Sequence, residues 1–71
     1  MTITLHSKAI QNGTNYYYVC MELDKADVYT VSLNPSYDYG KTYGYPLKEM
    51  SYKDKAKAKR CYNRYVREVS V

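Results

Sequence analysis

Three runs alternate apolar with polar residues at a period of two, and that pattern commits the first half of the chain to β-structure. Residues 2–10 set Ile3, Leu5, Ser7 and Ala9 against Thr2, Thr4, His6 and Lys8. Residues 15–23 set Tyr17, Val19, Met21 and Leu23 against Tyr16, Tyr18, Cys20 and Glu22, and residues 27–33 continue with Tyr29, Val31 and Leu33. Residues 52–67 then contain neither Gly nor Pro, and Ala58, Cys61, Tyr62, Tyr65, Val66 and Val69 recur at helical spacing. The expected fold is α+β in βββα order: a three- or four-stranded antiparallel sheet with one C-terminal helix packed on its apolar face. The 71 residues are expected to form a single domain, 1–71.

Loop chemistry sets the expected registers. A three-residue loop Gln11-Asn12-Gly13, with Gly13 left-handed, pairs Leu5 with Val19 and Ile3 with Met21, so the apolar sets share a face. A two-residue Asn12-Gly13 turn would put them on opposite faces. The connection Asp24-Lys25-Ala26 likewise pairs Met21 with Tyr29 and Val19 with Val31. The outward face then carries His6, Lys8, Tyr16, Tyr18, Cys20, Val28, Thr30 and Ser32. Pro35, Gly40, Gly44 and Pro46 mark residues 34–50 as a loop, with a short fourth strand over 42–47 as an option. Ser51 is the expected helix cap, with Asp54 three residues on.

Eleven residues are Tyr and none is Phe or Trp. A chain this short buries a modest share of its surface, so several Tyr rings must face outward, where they suit a contact surface. The formal net charge is +4. Residues 51–71 hold seven Lys or Arg against Asp54 and Glu68, and residues 1–50 hold four Lys against five acids. Lys53, Lys57, Arg60, Arg64 and Arg67 run down one side of the helix without an acid, which suits phosphate or an acidic protein patch.

Other chemistry is thinly represented. His6 is the single histidine, and Cys20 and Cys61 have no metal-ligand spacing, so no metal site or cofactor is expected. A Cys20–His6 thiol pair is the only catalytic candidate, and chance proximity on neighbouring strands explains it better. Gly40-Lys41-Thr42 lacks the first glycine of a phosphate-binding loop, because Pro35 stands there. The chain is therefore expected not to be an enzyme. No apolar run reaches membrane length and no signal peptide is visible, so no membrane partner is expected and the location reads as cytoplasmic.

The order of three strands and a helix resembles the arm-type DNA-binding domains of phage and transposon integrases, and plant AP2 domains. Tyr52-Lys53-Asp54-Lys55-Ala56-Lys57-Ala58 is similar to the helix start of the integrase group. That resemblance implies a sheet face docked in the DNA major groove. The chain as a whole, short, Tyr-rich and without a catalytic set, also resembles the small anti-defence proteins of phages and mobile elements, the anti-CRISPR type. This implies an inhibitor that occupies a surface of a host nucleoprotein defence complex in the host cytoplasm, with a protein or nucleoprotein partner. The expected contact residues are Lys53, Lys57, Arg60 and Arg64 for charge, and Tyr37, Tyr39, Tyr43 and Tyr45 for packing. The alternatives are a direct DNA- or RNA-binding domain and a homodimeric accessory or structural subunit.

Overall fold

The computed structural model describes residues 2–37, 42–43 and 45–70. The strands are β1 (Ile3–Asn12), β2 (Asn15–Leu23), β3 (Tyr29–Tyr37), β4 (Thr42–Tyr43) and β5 (Lys48–Tyr52), followed by helix α1 (Lys55–Ser70). β1, β2 and β3 are antiparallel neighbours. β4 and β5 both pair antiparallel with β3 on its remaining side, so two short segments share a fourth lane. The α+β architecture, an antiparallel sheet with one C-terminal helix on one face, is the expected one.

The fourth lane breaks between β4 and β5, opposite Asn34 and Pro35. The Leu33 carbonyl faces this lane and accepts the Leu47 N–H at 2.8 Å. Pro35 lies two residues on in the pleat, so its missing N–H faces the same lane and the ladder cannot continue there. The expected loop over residues 34–50 is shorter at both ends: residues 34–37 extend β3, because residues 34–36 continue its pairing with β2, and residues 48–50 belong to β5. The expected 42–47 strand is present only at its start, as β4.

β2 and β3 present the expected faces. Val19 pairs with Leu33 and Met21 with Val31, a register two residues away from the expected one, and an even shift leaves both faces unchanged. The longer connection follows from Asp24. Its Oδ1 accepts the Ala26 N–H at 2.8 Å and the Val28 N–H at 3.1 Å, while Asp27 takes a φ of 60°.

β1 departs from expectation. The hairpin closes through two residues, Gly13 and Thr14, with Asn12 opposite Asn15. Gly13 is left-handed at φ 64°, as expected, but it occupies the first central position, the arrangement of a type II′ turn. Lys8 therefore lies opposite Val19 and His6 opposite Met21. This odd shift moves His6 and Lys8 to the helix side and Ala9 to the outward side. A bulge at Leu5 then restores parity, since Thr4 pairs with Glu22 and Ile3 with Leu23. Leu5 still packs against the core, and Ile10, not Ala9, is β1's buried residue.

The helix cap lies three residues later than Ser51. Ser51 is a β5 residue opposite Thr30, and their hydroxyls lie 3.2 Å apart. Asp54 is the cap: its Oδ1 accepts the Ala56 N–H at 2.8 Å and the Lys57 N–H at 3.4 Å. Asp54→Ala should lower stability by about 1 kcal/mol. Ser51→Ala should stay within about 0.5 kcal/mol, and urea denaturation of the two variants separates these assignments. At the other end the Asn12 side chain donates to the Val69 carbonyl at 2.9 Å, tying the last turn to β1.

Ala58, Cys61, Tyr62, Tyr65 and Val69 form the helix's buried stripe, as their spacing predicts. They close over Ile10, Val19, Met21, Val31 and Leu33, with Val19, Met21 and Val31 wholly inaccessible. Lys48 Nζ meets Glu68 Oε2 at 2.9 Å and sits 5.9 Å from the centre of the Tyr65 ring, linking β5 to the helix.

Candidate cationic groove on the helix

With one stripe buried, the helix turns its cations to solvent. Lys57, Arg60, Arg64 and Arg67 are all exposed, at positions i, i+3, i+7 and i+10. With Tyr52, Cys61 and Asn63 they line an open groove of about 520 Å³ between the helix and the end of β5. Cys61 lies in its floor, and the Arg64 guanidinium approaches the Cys61 Sγ at 3.9 Å while lying 5.8 Å from the centre of the Tyr65 ring. Cys61 beside the Tyr52 hydroxyl, and then burial, push Tyr52 above its usual pKa, so its hydroxyl stays neutral.

Neutralisation within the protein is sparse. Among the described residues the ion pair Lys48–Glu68 engages the helix's only acid, and Lys57, Arg60 and Arg67 make no ion pair. Like charges three or four residues apart on a helix are each unfavourable by about 0.2–0.5 kcal/mol. Lys57–Arg60, Arg60–Arg64 and Arg64–Arg67 all stand at such spacings. An anion seated in the groove would relieve this repulsion.

Of the expected charge set, Lys57, Arg60 and Arg64 come together here. Lys53 is exposed ahead of the helix and does not line the groove. Arg67, Asn63 and Tyr52 join it instead. The signal for Tyr52 was legible in Glu49-Met50-Ser51-Tyr52, which alternates polar and apolar residues as an edge strand does. Of the expected tyrosines, Tyr39 lies outside the described residues. Tyr37 and Tyr43 are described through backbone pairing alone, opposite Thr42 and Ser36. Tyr45 is 93% exposed.

The outward sheet face is chemically different. Cys20, Ser32, Asn34 and Ser36 occupy its middle, with Cys20 Sγ 3.2 Å from Ser32 Oγ and the Asn34 amide donating to Ser32 Oγ at 3.1 Å. Glu22 and Glu49 flank it, opposite Thr4 and Ser32. The expected basic groups are missing, because His6 and Lys8 lie on the other side. The His6 ring packs 5.6 Å from Tyr62 of the helix, so Cys20 and His6 point to opposite sides of the sheet and cannot act together. Burial raises the Cys20 pKa, and the Glu22 and Glu49 charges raise it further against the lowering effect of the Ser32 bond, which disfavours thiolate.

Comparison with protein-family models, curated proteins and solved structures finds no match to this chain. Among the described residues no three His, Cys, Asp or Glu side chains cluster as metal ligands, and no helix is long and apolar enough to cross a membrane.

Proposed function

We propose that this chain is a non-enzymatic binding protein of phage or mobile-element type, which inhibits a host nucleoprotein defence complex in the cytoplasm by covering part of its surface. The observation that supports this reading is the one-sided groove formed by Lys57, Arg60, Arg64 and Arg67. It offers four cations to an anionic partner, with no acid among the described residues of its lining. Lys53 extends the charged surface, and the exposed Tyr45 adds apolar contact area. Tyr37, Tyr39 and Tyr43 belong to the same proposed packing contact.

Direct nucleic-acid binding is the second reading, favoured by the same cations. It would have to use the helix. The sheet docking implied by the arm-type resemblance needs a basic outward face, and this one carries Glu22 and Glu49 with no Lys or Arg among its described residues.

A plasmid-interference assay tests the proposal. In cells with an active RNA-guided nuclease, expression of the protein should raise recovery of a targeted plasmid. The combined variant Lys57→Glu, Arg60→Glu, Arg64→Glu, with its helical circular dichroism intact, should give no such rise. Full protection by that variant would remove the groove from the mechanism.

A further inference from the structure

All three arginines of the chain line the groove, whereas among the described lysines only Lys57 does. General solubility would not sort the two residue types this way. Lys is a hydrated point charge, whereas Arg presents a planar fork that matches phosphate oxygens in pairs. Arg60, Arg64 and Arg67 span about 10 Å along the helix axis at about 1.5 Å per residue.

The remaining lining residues supply what bases need. Tyr52 forms the β5 wall, half-buried with part of its side chain packed on the core and part lining the groove, where a base can meet it. Asn63 is exposed and carries both amide donors and a carbonyl acceptor. The groove's 520 Å³ falls within the roughly 300–1,000 Å³ of pockets that hold drug-sized molecules, which is the size of a nucleotide. A duplex buries its bases and presents only its backbone, leaving an aromatic wall with nothing to stack on. An acidic peptide would use the cations but gain little from the ring.

We infer that the groove binds the sugar–phosphate backbone of a single nucleic-acid strand, with its phosphates on Arg60, Arg64 and Arg67 and one base stacked on Tyr52. This rests on the reading of the helix groove as the contact surface, and it names the ligand as the nucleic-acid component of the partner complex.

Fluorescence anisotropy with a short labelled oligothymidylate tests it on the full chain. Three phosphate contacts predict that affinity falls about 20-fold between about 50 and 200 mM salt. Arg60→Lys, Arg64→Lys, Arg67→Lys together keep the charge and should weaken binding about tenfold. Tyr52→Leu should weaken it about fivefold or more, and Tyr52→Phe, which keeps the ring and the packing, should not. Poly-glutamate of equal charge should displace the oligonucleotide poorly, and the matching duplex should bind more weakly than the strand. Equal competition by poly-glutamate would transfer the groove to an acidic protein, and tighter duplex binding would overturn the single-strand assignment. Absence of binding at low salt, or unchanged affinity in the Arg→Lys variant, would overturn the inference. The interference assay reads the groove's general role separately, since charge reversal can abolish protection whichever anion is bound.

Discussion

Val19→Asp is expected to leave the chain unfolded at neutral pH. Val19 is wholly inaccessible, central in β2, and flanked by Leu33 on β3. Lys8 lies opposite on β1 but is exposed, so a carboxylate at the inaccessible position 19 enters the apolar cluster beneath the helix without a buried partner. Removing such a charge from water costs several kcal/mol even after relaxation. Native domains have only about 5–15 kcal/mol of stability, and a chain of this length lies toward the lower end. Circular dichroism should show loss of the folded spectrum and of any cooperative thermal transition.

The same experiment on β1 tests the hairpin register. Ile10→Asp should also unfold the protein, because Ile10 is 8% exposed within the core. Ala9→Asp should fold, because Ala9 is exposed on the outward side. The uninterrupted alternation read from sequence placed Ala9 inside, so the register with three loop residues predicts harm at Ala9. A folded Ile10→Asp beside an unfolded Ala9→Asp would restore that register and remove the bulge at Leu5.

Tyr65→Ala should destabilise the protein by about 3–5 kcal/mol, as truncation of a buried aromatic does. Tyr65 is 3% exposed, and its ring lies under both Lys48 and Arg64. Its loss opens a cavity between the helix and the sheet and removes both cation contacts. Burial, followed by the Cys61 hydrogen bond, pushes the Tyr65 hydroxyl from 10.0 to about 12. The unfolded chain releases this proton near its ordinary pKa, while the folded chain keeps it. Stability from Tyr65 is therefore complete below about pH 10 and is lost as pH rises to about 12. Tyr62 moves in the same direction, chiefly through burial. Urea midpoints should fall over that window, and Tyr65→Phe should make the fall shallower while preserving most of the packing. An equal slope in wild type and Tyr65→Phe would show that Tyr65 titrates normally.

Local patterning made β2, β3 and the helix legible. Each of these elements keeps one apolar parity or one helical stripe from end to end, because each meets the core along its whole length. Val19, Met21, Val31 and Leu33 on the sheet and Ala58, Cys61, Tyr62, Tyr65 and Val69 on the helix are the core that their spacing indicates. The cationic line was equally visible, since the residues left outside a buried stripe must face solvent.

What the chain's pattern left open was every choice between local options of similar energy. In β1 the apolar parity changes between Leu5 and Ile10, and only a bulge admits both to one face. A loop of two residues and one of three were both acceptable to Asn12-Gly13-Thr14; packing of Ile10 under the helix and the Asn12 bond to Val69 belong with the shorter one. Ser51 and Asp54 were both plausible caps, and the open edge of β3 draws Ser51 into a strand and leaves Asp54 the helix start. The groove depends on that last choice, because it places Tyr52 across from Arg64. Residue types and periodicity thus determined the elements, their buried faces and the sign of the exposed helix surface. Pairing partners, the start of the helix and the aromatic wall beside its arginines were decided by tertiary structure, because backbone hydrogen bonds on a sheet edge are satisfied by segments far apart in sequence.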